Sequence, residues 1–202
     1  MGIAARKERE RQEMRDLVLK AATELFIEEG YDKSSIRKIA DRIEYSPATI
    51  YLYFKDKDEI FHAIHEKGFD IFFQRMEALA VIKNPFERLR KLGEEYIRFA
   101  DEYPEYYDLM FIMRAPMEFI KGDSWDCGYQ AHEGLKAMIR ECMEGGYMKK
   151  MDIDLASLSI WSFMHGMTSL AIRNRFKMYE SERVKQMMDE AVNKMLQLFR
   201  RE

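Results

Sequence analysis

The sequence predicts an all-α fold. Three observations carry that reading. Apolar residues recur at i, i+3, i+4 and i+7 along most of the 202 residues, alternating strand patterns are absent, and only four prolines and ten glycines punctuate the chain, at sensible helix boundaries. About nine helices fit between those breaks. They divide into an N-terminal three-helix unit, residues 1–58 with a helix-turn-helix over 35–54, and a larger helical body, residues 59–202.

Each element has a local reason. Leu17, Ala21, Ala22, Leu25 and Phe26 make the inner stripe of a first helix, which Gly30 ends as a left-handed C-cap. Ser35 caps the second, with Ile36, Ile39, Ala40 and Ile43 on one face. Ser46 caps the third, and Pro47 sits in its first turn, where a missing N–H costs nothing. Asp56 caps the fourth, with Glu59 at capping-box spacing, and that helix should run to about Leu79. Asn84-Pro85 starts the next helix and Tyr103-Pro104 interrupts or ends it. Pro116 breaks the following segment, and 121–126 reads as a polar loop. A helix from about Asp126 stops at Gly145-Gly146, Asp152 caps a long one reaching about Phe176, and Ser181 caps the last.

Composition bounds the function. Hydrophobic residues make up 47%, enough for a real core. A net charge of −3 excludes a protein that coats polyanions indiscriminately. The first 57 residues hold 12 Lys+Arg against 11 Asp+Glu, so any positive charge for DNA must be local. Cys127 and Cys142 read as reduced thiols. The charged N-terminus and apolar runs of about five residues predict a cytoplasmic protein with no membrane partner. No metal is expected, since His62 and His65 stand three apart without further ligands. A Gly-rich phosphate loop and a GxSxG elbow are both absent, so neither a cofactor nor an enzyme is expected.

The most informative stretch is Ser35 to Phe54, SIRKIADRIEYSPATIYLYF: a helix, a tight turn and a short second helix. Phe26, Ile39, Ile43, Ile50 and Phe54 suit the core of a three-helix bundle, and a bundle with no DNA role would look similar there. The third helix argues for DNA. Pro47, Ala48, Thr49, Tyr51 and Tyr53 are residue types that approach bases closely or bond to phosphates, and Lys57 adds charge at a helix start that already suits an anion.

Here the chain resembles the tetracycline-repressor (TetR) family of bacterial regulators. The resemblance rests on ATELF at 22–26, Gly30-Tyr31, SIRKIA at 35–40, and the run from Ser46 through Phe54, Lys57, Glu59 and Ile60, and it covers about residues 12–66. It implies a homodimeric, all-helical regulator with a ligand pocket in its body. It places Ser35, Arg37, Ser46, Pro47, Ala48, Thr49, Tyr51, Tyr53 and Lys57 at a double-stranded DNA operator. Two departures stand out. Glu44 occupies a turn position where many members carry Gly, so the backbone there should differ or be strained. Pro47-Ala48 replaces a common Lys-Gly, so the operator cannot be copied from relatives. The preceding segment RKERER, at 6–11, reads either as an arm reaching DNA or as a solvated helix extension.

Fourteen of the 16 methionines lie beyond residue 60, mixed with aromatics. Methionine suits both a helical core and a pocket for varied apolar ligands. The expected site for a small apolar or amphipathic ligand is drawn from Tyr107, Phe111, Met113, Arg114, Tyr129, His132, Trp161 and His165. Trp161, His165 and Gly166 also resemble the tryptophan-histidine-glycine signature of one subgroup of the family. Ser162, Gly166 and Ser169 form part of a small-residue stripe, and Val184, Met188, Ala191 and Met195 an apolar face. Together they predict a four-helix dimer interface. The expected function is a ligand-responsive homodimeric repressor that binds a palindromic operator. The rival from another class is a small-molecule-binding or enzymatic helical protein whose N-terminal bundle is structural.

Overall fold

The computed structural model describes residues 2–113 and 126–201. Arg114, Pro116 and the loop expected at 121–126 fall wholly or mostly outside them. Nine α-helices are present among the described residues: α1 Ile3–Glu29, α2 Ile36–Arg42, α3 Pro47–Tyr51, α4 Lys57–Glu77, α5 Pro85–Glu102, α6 Pro104–Tyr107, α7 Asp126–Glu144, α8 Ile153–Ile172 and α9 Ser181–Phe199. A 3₁₀ turn at Ala78–Val81 follows α4, and a π-turn at Asp108–Ile112 follows α6. The only β pairing among them is an isolated bridge, Met148 to Arg200.

The chain forms two compact units. The first gathers Met1–Gly68 with the described part of Glu105–Ser124; the second gathers Phe69–Pro104 with the described part of Trp125–Glu202. This differs from a division at 58/59. The reason is that Ile60, Phe61 and Ile64 of α4, and Leu109, are buried in the core of the first unit with Phe26, Ile39, Ile50 and Phe54.

Side-chain caps set the helix starts. Ser35 accepts from the Lys38 N–H at 3.3 Å, Ser46 from Thr49 at 3.2 Å, Asn84 from Phe86 and Glu87 at 3.0 and 3.1 Å, and Asp152 from Leu155 at 2.9 Å. At α4 the box is shifted by one residue. Asp56 accepts from the Glu59 N–H at 2.8 Å, but the Glu59 carboxylate reaches back to the Lys55 N–H, not to that of Asp56. Ser181 is the first helical residue of α9; Glu180 is the N-cap and makes no side-chain bond.

Three helices end in the same motif. After α2 the Tyr45 N–H bonds to the Ala40 carbonyl and the Glu44 N–H to Asp41; after α7 Tyr147 bonds to Cys142 and Gly146 to Met143; after α8 Arg175 bonds to Leu170 and Asn174 to Ala171. The residue in the left-handed region is Glu44 (φ 59°), Gly146 (φ 74°) and Asn174 (φ 53°) in turn. Asn174 therefore stops α8 at Ile172, short of the expected Phe176. Glu44 is the one of the three with a long side chain, and its Cβ crowds the following carbonyl. Gly30 also differs from expectation: its φ of 84° is positive, but its ψ of 159° is extended, so α1 ends without a left-handed turn.

The first helix buries Val18, Leu19, Ala21, Ala22, Leu25 and Phe26, while Leu17, expected on the inner stripe, is 40% exposed. In the second unit α5, α7, α8 and α9 pack together. Its core contains Phe72, Tyr96, Phe99, Ile139, Ile160, Met164, Val192 and Leu196. α8 is the one described helix long and apolar enough to cross a bilayer. Ala156, Ser157, Ile160, Met164 and Thr168 bury one of its sides within this unit.

Replacing Glu44 with Gly removes the Cβ clash and should raise stability by about 0.5–1 kcal/mol, after allowance for glycine's larger unfolded-state entropy. A urea midpoint equal to or below that of the natural chain would contradict strain at this turn.

Candidate functional site

The third helix is five residues long, and Ile50 is its only fully buried residue. It is held at both ends. Ser46 caps its start, with the Ser46 and Thr49 hydroxyls 3.0 Å apart. At its finish the Arg15 guanidinium donates to the Tyr53 carbonyl at 2.7 Å and lies 4.2 Å from the centre of the Phe54 ring. Ile50 and Phe54 enter the core, which turns Ser46, Ala48 and Tyr51 outward and leaves Pro47, Thr49 and Tyr53 half-buried. Ser35 and Arg37 are exposed at the start of α2.

Lys57 is placed differently from its sequence-based role. Its ammonium donates to the Tyr31 carbonyl at 2.8 Å and the Ser34 carbonyl at 3.2 Å, and lies 3.8 Å from the centre of the Tyr31 ring. Burial pushes its pKa down, opposed by Asp58 and Asp32. The Tyr31 hydroxyl donates to the Asp58 carboxylate; burial first, and then that bond, push its pKa up. Two of the three ammonium donors are thus used inside the fold. Lys57 fastens the start of α4 to the turn between α1 and α2.

Charge around the third helix is selective. Lys38 pairs with Glu29, and Arg42 with Glu28 and Glu24, so these cations of α2 are turned onto α1. Arg37 and Lys55 are exposed and make no ion pair among the described residues. The segment at 6–11 is helical, continuous with α1, and Arg6 and Arg9 pair with Glu10 and Glu13.

The expected ligand residues fall into two sets. Tyr107, Phe111 and Met113 belong to the first unit, where Tyr107 is fully buried and its ring lies 5.2 Å from that of Phe111. Tyr129, His132, Trp161 and His165 belong to the second unit. There the rings form a row. Tyr96 Oη lies 3.4 Å from His165 Nδ1, the His165 ring lies 6.2 Å from that of Trp161, and the Trp161 ring lies 5.9 Å from that of His132. Burial lowers the His165 pKa. His132 Nε2 and Thr168 Oγ1 are buried without a hydrogen-bond partner among the described residues. Tyr129 does not join the row, because its side of α7 faces outward and it is 65% exposed.

The expected dimer residues also divide. Ser162 and Gly166 are exposed on α8, Ser169 is half-buried, and Leu155, Leu158, Phe163 and Leu170 add apolar exposure to the same helix. Val184 and Ala191 are half-buried on α9. Met188 and Met195 are corrected: at 7% and 5% exposure they point into the core of their own unit with Val192 and Leu196.

Comparison with known proteins decides the family. Residues 18–64 match the model of the bacterial regulatory proteins of the tetR family, and residues 89–195 match a tetracyclin repressor-like C-terminal domain. The chain belongs to the TetR family. Among curated relatives, the HTH-type transcriptional regulator HbdR of Aromatoleum sp. (strain CIB) is 27% identical over 84% of this chain and 76% of its own. The fatty acid metabolism regulator protein of Bacillus subtilis is 38% identical over 30% of this chain and 31% of its own. Among solved structures, the fatty acid degradation regulator FadR of Bacillus halodurans shares the fold, with a TM-score of 0.73, 19% identity, and coverage of 91% and 93% of the two chains. This TetR-family chain is a helix-turn-helix transcriptional regulator and not an enzyme. Regulators of its family bind DNA operators, dimerise and answer to small molecules.

Sequence reasoning missed Arg15, Tyr96 and Thr168. Arg15 gave no signal, since its acceptor lies 38 positions away.

Lys57→Met should keep the helix length and remove the fastening, lowering the stability of the free protein by about 1–2 kcal/mol. Operator affinity should fall with it. Loss of affinity at unchanged stability would instead assign Lys57 to DNA contact alone.

Proposed function

We propose that this regulator is a ligand-responsive homodimeric repressor that binds a palindromic operator and is released by a small apolar or amphipathic molecule. The observation that carries the DNA half is the third helix, held at both ends, with Ala48 and Tyr51 outward and Arg37 and Lys55 exposed nearby. Ser35, Ser46, Pro47, Thr49 and Tyr53 complete the proposed contact set. Dimerisation brings two such helices to successive major grooves about 34–36 Å apart. The exposed face of α8, with Ser162 and Gly166 allowing close approach and Leu155 and Leu158 adding apolar area, is the proposed interface, with Val184 and Ala191 of α9 beside it.

The effector half rests on the second unit. A row of Tyr96, His165, Trp161 and His132 with two unpartnered buried polar atoms suits an apolar body bearing one polar group. The names of the fatty-acid regulators among the relatives make fatty acids of graded chain length the first compounds to try. Trp161, His165 and Gly166 also favour the tryptophan-histidine-glycine subgroup. An effector that prefers one arrangement of the body shifts operator affinity by that preference and no more. α4, which supplies residues to both units, is the proposed route. A cytoplasmic location fits this role.

Selection of bound sequences from random duplex DNA at ~0.15 M salt should recover one palindromic site, with affinity falling as salt rises. Recovery of no sequence would overturn operator binding and favour a small-molecule-binding protein. With that site as probe, His165→Phe should raise the effector concentration for half-release by about tenfold and leave effector-free operator affinity unchanged. An unchanged release curve would remove His165 from the effector site.

A further inference from the structure

On the operator-binding reading above, we propose that the third helix recognises its half-site chiefly through thymine methyl groups, with Leu52 and Ala48 as the side chains that meet them. Leu52 follows the last residue of α3 and is 76% exposed. Ala48, Tyr51 and Leu52 stand at i, i+3 and i+4, so they share one outward stripe. Only the phenol hydroxyl in that stripe can form a hydrogen bond.

The flanking polar groups add few donors to that stripe. The Ser46 and Thr49 hydroxyls bond to each other, and Ser46 also caps α3. The guanidinium of Arg42 and the ammonium of Lys38, the cations of α2 other than Arg37, are paired with glutamates of α1. The outward stripe itself thus carries one polar group, the Tyr51 hydroxyl, beside two exposed apolar side chains.

An apolar stripe pressed into a major groove does two things. It gains where it meets the one apolar feature there, the 5-methyl of thymine. It costs where it covers a base-edge donor or acceptor without replacing the lost water bonds. Both effects favour thymine opposite Leu52 and disfavour G·C pairs, so specificity comes as much from exclusion as from contact. Tyr51, with Arg37 and Lys55, contributes the sequence-independent phosphate bonds that set register.

The test is a pair of selections with the full-length protein, from random duplex libraries made with thymidine or with deoxyuridine, followed by single dT→dU replacements in the site recovered. The thymidine library should give a site with thymine enriched at one or more positions in each half, and the deoxyuridine library should lose that enrichment. Each critical dT→dU change should weaken binding by about fourfold, the worth of one buried methyl. Leu52→Ala, an exposed position that leaves the core intact, should bind the dT and dU duplexes equally at one of these positions. Equal binding of dT and dU duplexes by the natural protein at every position would overturn the proposal while leaving operator binding standing. So would a full dT/dU difference retained by Leu52→Ala. A thymidine library that yields no site would overturn both.

Discussion

A five-residue helix cannot hold itself together, and the reading face of this protein is built on one. Helix nucleation is unfavourable and one turn returns few hydrogen bonds, so α3 exists because tertiary contacts impose it. Ile50 and Phe54 are essentially fully buried beside Phe26 and Ile39, and this anchors the inner side. Ser46 satisfies the Thr49 N–H in the first turn, and Arg15 takes the Tyr53 carbonyl beyond the last turn. Each restraint acts on a different end or side. The outward stripe is therefore presented in a fixed register with few groups of its own to spend on internal bonds.

The same economy explains the surroundings. The turn that aims α3 is closed by Glu44 in a left-handed conformation, where a residue without a bulky Cβ is easier to place. The start of α4 is tied to the α1–α2 turn by Lys57, Tyr31 and Asp58. Phe26, Tyr31 and Phe61 pack tilted and edge-to-face, with ring centres 5.0–5.4 Å apart, beneath that fastening. Lys57, expected from the sequence at a phosphate, spends two of its three ammonium donors inside the fold.

What was legible in the sequence was local. Ser35, Ser46 and Asp152 were readable as caps, and Asn84-Pro85 as a helix start, because a cap and the N–H that donates to it lie two or three residues apart. The all-α class and the helix-turn-helix followed from spacing, and the family from residues 22–60. What was not legible depended on contacts between distant segments. Arg15 and Tyr53 are 38 apart, and Lys57 and Tyr31 are 26 apart. Met188 and Met195 show the second limit. An apolar stripe reveals that a helix buries one face, but not whether its own subunit or another copy covers it; here the core of its own unit does. Tyr129 failed for the same reason in reverse, as an aromatic left on the outer side of α7.

Amide hydrogen exchange of the free protein tests the central claim, that α3 is preformed and rigid before DNA arrives. The Tyr53 and Phe54 amides, both bonded to the Ile50 carbonyl, should exchange as slowly as the Ile39 amide in the neighbouring helix. Exchange at the rate of an unstructured chain would mean that the reading face orders only on the operator, and would contradict the account.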